Sequence, residues 1–445
     1  MTIMGYPVGL FVLFFTEMWE RFSYYGMRSL LVLYMTSYLI KTAETGTSII
    51  GFGVLRSSLE AVFGPLAIQP LASQIYGIYT AFVYFTPFFG GILADRILGQ
   101  RKTVVVGGVL MAIGQFLLVF DRFFLISLTF LIVGNGCFKP NISTQVGNLY
   151  PAGDSRRDSA FTIFYMGINL GAFFSPLICG TLGQIYGWHY GFGAAGVGMI
   201  IGLIVYLWGQ RYLAQDNLTR TAAQSVVSEP LTAKEWKAIA GLVVLGILNI
   251  VFWGVYEQNG NTLQLFADQQ ADWHVFGWEI PSTWFQSINP AFIFIFAPLL
   301  NLLWSKQASQ KKEPSSISKM AIGCFLLGAS FLVLMVAIFG IGPHQKISCI
   351  WLAGCTLIYT LGELYLSPIG LSLVTKVAPA RLVSMLMGMW FMSAFFGNYL
   401  SGYLGTFYEK MPRESFFLML TLLGILSGVA IFALGRPLKK AIGEN

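Results

Sequence analysis

The sequence predicts an all-α integral membrane protein, with twelve transmembrane helices in two six-helix bundles. Three observations predict it. Of 445 residues, 56% are hydrophobic and only 11% charged, where a soluble domain carries roughly a quarter charged residues. Long apolar runs recur from end to end, and the mean hydropathy is +0.68, so the chain cannot furnish the polar surfaces of soluble domains. Finally, Lys and Arg are spread unevenly over the breaks between those runs.

Taken in order, the runs and their Gly, Pro and charge breaks place spans near 6–40, 66–94, 101–120, 123–148, 158–186, 190–213, 235–267, 283–305, 317–340, 346–377, 382–408 and 414–436. Each is near or above the roughly 20 residues that cross a bilayer. The first run does not read as a removable leader, being too long and carrying Glu17, Glu20 and Arg21. Residues 45–65 fit either a lip of span two or a short interfacial helix.

Breaks after even-numbered spans, with the C-terminus, hold 18 of the 27 Lys and Arg; breaks after odd-numbered spans hold 6. The positive-inside rule then puts both termini in the cytoplasm, with the chain in the cell (inner) membrane. The formal charge of +7 sets topology and does not imply a nucleic-acid partner. The longest polar break on that side, AQDNLTRTAAQSVVSEPLTAK (214–234), divides six spans from six. The expected organisation is a bundle over 1–213, a linker over 214–234 and a bundle over 235–445, the major facilitator layout, with substrate at the midplane between halves. In GGILADRILGQRKT, between spans two and three, the glycine pair permits close packing, and Asp95 with Arg96, Arg101 and Lys102 offers an ion-pair latch on the inner face. The alternative is a solvated turn.

Three Lys and Arg (Arg21, Arg28, Lys139) fall inside spans, as do Glu17, Glu20, Glu257 and Glu363. An ionisable group at mid-bilayer costs about 2.5–3.5 kcal/mol on insertion scales, so each marks a candidate functional position. Glu17, Glu20, Arg21, Tyr24 and Tyr25 fall at i, i+3, i+4, i+7 and i+8, one helix face. Lys139, just before Pro140 in GNGCFKPNIS, needs a partner, and the span-one carboxylates are the candidates. Glu257 lies in FWGVYEQNGN of span seven and Glu363 in LGELYLSPIGLS of span ten. If the halves face one cavity, the pocket is dipolar and suits a zwitterion, its carboxylate at Arg21/Lys139 and its ammonium at Glu363. Glu17, Glu20 and Glu257 are candidate proton carriers; pairs that merely lock helices are the alternative. Arg28 is expected to snorkel to the outer interface. The five cysteines form no CxxC pair and no cluster with the three histidines, so no metal or cofactor is expected.

At these residues the chain resembles the proton-dependent oligopeptide transporters. TEMWERFSYYGMR matches that family's span-one signature and FYMGINLGAFFSPLICG its second. VYFTPFFGGILADRILG, GNGCFKPNIS, SINPAFI, GELYLSPIGLS and MGMWFMSAFFGNYLSG follow the family's order, from about residue 11 to 405. The resemblance implies proton-driven uptake of di- and tripeptides by alternating access, by a functional monomer in the lipid bilayer. Residue by residue it implies proton coupling by Glu17, Glu20, Arg21, Lys139 and Glu257. The peptide carboxylate falls to Lys139 with Arg21 and the amino group to Glu363, and Tyr24, Tyr25, Tyr84, Asn169, Asn289 and Trp390 line the pocket. Tyr256 departs from members with an extra acid there, and Ala394 from members with a serine. The 214–234 linker is too short for the two added helices of many bacterial members. The rival readings are a relative retuned to nitrate or another anion, which Glu363 disfavours, and a proton-conducting subunit of a respiratory complex, which the lack of further mid-span Lys or His disfavours. An intramembrane enzyme finds no HExxH, GxSxG or paired aspartates.

Overall fold

The computed structural model describes residues 2–151, 154, 156–216, 231–339, 342, 345–378 and 382–442. Most of the expected linker, with Arg220, and the loop residues His344 and Arg381 lie outside them. Span one is an α-helix over Val8–Tyr34 that runs through a π turn, Met35–Leu39, into a last turn at Ile40–Glu44. Spans two to twelve follow as Ile68–Leu98, Gln100–Leu117, Asp121–Asn148, Arg156–Tyr186, Trp188–Tyr212, Glu235–Gln270, Ser282–Ser309, Ser316–Ile338, Cys349–Val377, Val383–Gly405 and Arg413–Ala433. Among the described residues, nine of these rods are long and apolar enough to cross a membrane by length and composition alone. The other three are diluted: span one by its charges, span three by its opening Gln100-Arg101-Lys102, and span eleven by interleaved Gly, Ser, Asn and Tyr. Every rod ends within about four residues of its predicted bound, because the Gly, Pro and charge breaks that interrupt apolar runs also stop helices.

Residues 45–65 resolve as a separate short helix, Phe52–Phe63, bounded by Gly51 and Gly64 in the left-handed region (φ 80° and 74°). Its Arg56 pairs with Glu60 one turn on (3.0 Å) and with Glu44 at the end of span one (3.1 Å). The strands among the described residues are two residues long, such as the parallel pairing of Ala271–Asp272 with Ile347–Ser348.

Two compact units separate, one of Met1–Ala72, Phe82–Thr221 and Glu279–Pro290, the other of Ser73–Ala81, Ala222–Trp278 and Ala291–Asn445. The main division falls inside 214–234, but a piece of span two groups with the second unit and a piece of span eight with the first. Each piece is fixed by neutral polar and glycine contacts. In the second unit Ser73 donates to Asn261 Oδ1 (2.8 Å), and a Cβ on Gly77 would meet the Gly402 backbone. In the first, Thr283 donates to Gln184 Oε1 through both its N–H and its hydroxyl (3.1 and 2.9 Å), the Trp284 indole donates to Thr181 (2.8 Å), and Ser287 donates to the Phe173 carbonyl (2.7 Å).

Within the first unit, span one packs along spans five and six. Glycines make that approach possible: Gly167 lies against Phe14, Gly171 against the Met18 carbonyl, and Gly198 and Gly202 against Phe22, Trp19 and Thr16. The back of span one is thereby buried on two glycine-faced helices, which leaves the stripe from Glu17 to Tyr25 to face the rest of the unit. Gly171→Ala should then destabilise the protein by about 1–3 kcal/mol, since the added methyl meets backbone that cannot rotate away. Gly193→Ala, with nothing within 4 Å of its Cβ, should be neutral. Thermal unfolding in detergent measures both.

Candidate functional site

Glu17, Glu20 and Arg21 are buried, between 0 and 4% exposed. The Arg21 Nε lies 3.1 Å from Glu17 Oε1, one turn back, and also hydrogen-bonds Glu20 Oε2. The second oxygen of Glu20 accepts from Asn135 Nδ2 of span four (3.4 Å). One guanidinium thus answers two carboxylates. Two buried atoms of this trio, Arg21 Nη2 and Glu17 Oε2, have no hydrogen-bond partner among the described residues.

Three cation–aromatic contacts frame the trio. Arg21 lies 5.3 Å from the Tyr24 ring centre, Arg28 5.9 Å from Tyr25, and the Lys139 ammonium 4.4 Å from Tyr84. Tyr24 and Tyr25 meet edge to face at 5.2 Å. Lys139 also acts electrostatically on Glu17. Arg28 departs from the expected snorkelling: it is buried at 7% exposure, with its guanidinium over the Tyr25 ring inside the protein.

The backbone explains why Lys139 sits where it does. Pro140 cannot donate to the carbonyl four residues back, that of Gly136. Gly90 of span two packs against that same carbonyl, and Gly136 against Thr86. Thr86 donates to the Ile132 carbonyl (2.8 Å), and Asn141 Nδ2 to the Gly90 and Cys137 carbonyls (3.2 and 2.7 Å). Spans two and four are thus seated against each other at the level of Lys139 and Tyr84.

In the second unit the helix Ala233–Tyr256 gives way to a 3₁₀ turn over Glu257–Gly260 and resumes at Thr262–Gln270. The run EQNGN supplies residues that weaken a helix, and amides satisfy the break. Gln258 Nε2 donates to the Ser401 carbonyl (2.9 Å), and Thr262 donates to Gln258 Oε1 (2.7 Å). Glu257, 2% exposed, is the first residue of that turn. Its neighbour Tyr256 hydrogen-bonds Glu363. Trp390 is buried, with its ring filling the space that a side chain at Gly370 would take.

The sequence-derived residues thus fall into two groups. Glu17, Glu20, Arg21, Tyr24, Tyr25, Tyr84 and Lys139 cluster in the first unit, and Glu257, Glu363 and Trp390 belong to the second. Asn289 is buried on the span-eight piece that groups with the first unit, and Asn169 donates to the Tyr165 carbonyl of its own helix (3.0 Å). Where spans two and three meet, Asp95, Arg96 and Lys102 are exposed and enter no salt bridge among the described residues. Arg101 instead donates to the Leu213 carbonyl and to that of Ala214 (3.0 Å), and its backbone N–H to Asp216 (3.1 Å). Asn135, Tyr256 and Gln258 were not singled out as site residues from the sequence; buried neutral polar residues beside the charged ones were the available signal.

Because Arg21 is buried between two carboxylates, Arg21→Met should cost about 3–5 kcal/mol, most of it from the uncompensated charges it leaves. Adding Glu20→Gln should recover part of that loss. Detergent thermal unfolding of both variants and the wild type measures the recovery.

The sequence profile of the POT family (PTR2) matches residues 101–233 and 215–419. An uncharacterized transporter of Bacillus subtilis, YclF, is 36% identical over 98% of this chain and 95% of its own length. The peptide transporter YePEPT of Yersinia enterocolitica is 35% identical over 91% of the chain and 88% of its own. A di-/tripeptide transporter of Lactococcus lactis is 30% identical over 100% and 98%. Among solved structures, a peptide transporter POT in complex with sulfate superposes with a TM-score of 0.85 at 32% identity, covering 99% of this chain and 97% of its own. A POT family transporter in complex with 5-aminolevulinic acid gives 0.83 at 31%, covering 98% of each. The chain is a multi-pass membrane protein and a transporter rather than an enzyme, and it belongs to the POT family.

Proposed function

We propose that the protein is a proton-coupled symporter that imports di- and tripeptides by alternating access, in the inner membrane with both termini cytoplasmic. One observation carries the reading. The buried trio of Glu17, Glu20 and Arg21 keeps one guanidinium nitrogen and one carboxylate oxygen without a hydrogen-bond partner among the described residues. The open nitrogen is a charged donor for a peptide carboxylate, and the open oxygen is an acceptor for a proton. The relatives named as di-/tripeptide and peptide transporters, and a solved neighbour in complex with alafosfalin, support peptide cargo.

In this reading Lys139 assists Arg21 at the carboxylate, and Glu363 takes the amino group. Tyr24, Tyr25, Tyr84, Asn169, Asn289 and Trp390 shape the pocket, and Glu257 joins Glu17 and Glu20 in moving the proton. Arg101, with Asp95, Arg96 and Lys102, serves as the inner-face latch, working through the first residues of the linker rather than through an internal ion pair. The neighbour bound to 5-aminolevulinic acid supports a wider cargo class, small zwitterions with a separated amine and acid.

Uptake of labelled dialanine into proteoliposomes, with and without an inward proton gradient, tests the reading. Tripeptides, amino acids, 5-aminolevulinic acid and nitrate serve as competitors. Concentrative uptake displaced by tripeptides is expected; displacement by nitrate alone would make the protein an anion carrier. Lys139→Ala should abolish accumulation above the outside level, and an undiminished gradient-driven accumulation would remove Lys139 from coupling. Glu363→Gln should weaken free dipeptides at least tenfold more than N-blocked ones, and equal losses would take the ammonium site away from Glu363.

A further inference from the structure

Tyr256 ends the helix before the 3₁₀ turn and is held on several sides. Its ring stacks on Tyr359 of span ten, with centroids 4.4 Å apart and planes 14° from parallel, and on Phe252 one turn back at 5.8 Å and 15°. Trp253 closes one edge at 5.2 Å and 82°. The Tyr359 hydroxyl donates to the Tyr256 carbonyl (2.9 Å), so ring and backbone are both fixed. The Tyr256 phenol hydrogen-bonds Glu363, which follows Tyr359 by one helical turn of span ten and so lies on the same face.

This arrangement has a chemical consequence. A carboxylate offers about four lone-pair sites over two oxygens, so accepting one bond from a phenol does not exhaust its capacity to meet a cation. An acid at 256 would set a second negative charge beside Glu363; a phenol contributes a neutral donor instead. Glu363 is half-buried on a flexible stem, and a donor that cannot move narrows the rotamers it samples. Fixing an acceptor before its ligand arrives lowers the ordering cost of binding.

We propose that Tyr256 is a positioning and specificity residue for the peptide amino terminus, its clamped phenol holding the Glu363 carboxylate where an incoming ammonium meets it. The proposal rests on the reading of Glu363 as the ammonium site. Tyr256 selects for a free amino group by acting through Glu363, while the aromatic stack keeps the phenol in place.

Transport kinetics in proteoliposomes test it on wild type, Tyr256→Phe, Glu363→Gln and the double variant, with dialanine as substrate and N-acetyl-dialanine as competitor. Tyr256→Phe keeps the stack and the Tyr359 bond and loses only the hydroxyl. It should raise the dialanine KM about tenfold, the typical worth of a hydrogen bond to a charged group. The kcat and the inhibition constant of the N-blocked peptide should stay near wild type. The double variant should match Glu363→Gln alone, because two residues acting through one interaction are not additive. Tyr359→Phe, which frees the backbone pin but keeps the phenol, should raise the same KM by about two- to threefold.

If Glu363→Gln discriminates between free and blocked peptides but Tyr256→Phe behaves as wild type, or improves dialanine binding, the role of Tyr256 is overturned and that of Glu363 stands. Additive losses in the double variant would also overturn it, since Tyr256 would then act elsewhere. If Glu363→Gln itself fails to discriminate, the ammonium-site reading falls and this proposal with it.

Discussion

The structure depends on a charge-balance problem on one face of span one. Two carboxylates and a guanidinium are buried where neither lipid nor bulk water can solvate them, so every partner must come from the protein. A single ion pair in such a place scarcely repays its desolvation. The solution adopted is a shared cation: Arg21 bridges Glu17 and Glu20, Asn135 supports Glu20, and Lys139 adds a second positive charge nearby. None of this assembles unless the opposite face of span one reaches its neighbours closely. That is why glycines, rather than larger apolar residues, stand on spans five and six where they meet Met18, Phe22 and Trp19.

The same constraint governs the irregular backbone. Span four tolerates Pro140 because Gly90 and Asn141 occupy the space and carbonyls around it. Span seven tolerates a 3₁₀ turn at Glu257 because Gln258, Thr262 and Ser401 supply the hydrogen bonds a regular helix would have made. Span four stays helical through Pro140, with the half-buried Lys139 beside it, whereas span seven departs from the helix at the buried Glu257. A helix break releases a side chain from the regular spacing of its face, and the neutral amides pay the structural cost locally.

These features were legible in the sequence to different depths. The twelve rods could be read because apolar runs and their breakers act locally, and the span-one stripe because helical spacing fixes a face from sequence alone. A register of buried charges, however, passes over neutral partners: Asn135, Gln258, Asn261 and Ser401 are ordinary polar residues until the tertiary contacts are known. Arg28 looked like a snorkelling residue because distance along the helix was visible and the Tyr25 face was not. Tyr256 could be recognised as a departure from an acid, but its bond to Glu363 joins positions 107 apart in the chain. The grouping of Ser73–Ala81 and Glu279–Pro290 with the other unit is likewise a tertiary result, set by contacts such as Gly77 on Gly402 that no local pattern encodes.

Charge counting also says why a proton and a peptide should travel together. With Glu17 and Glu20 ionised, Arg21 and Lys139 bring this set of four to a formal charge of zero, Arg28 standing two helical turns beyond Arg21 against Tyr25. A peptide carboxylate entering that cluster would leave it at minus one, a state that a buried site of low polarisability resists. One proton on a span-one carboxylate restores neutrality and also loosens a glutamate's hold on Arg21, freeing donor capacity for the incoming carboxylate. At Glu363 the opposite holds, because an ammonium there brings positive charge to an acid and needs no proton to balance it. The two ends of a zwitterion thus load the protein unequally. In the proposed symporter, beside the proton role of Glu257, the carboxylate end calls for an exchangeable proton on the span-one trio, and selection for a free amine at the other end calls for a fixed neutral donor to Glu363.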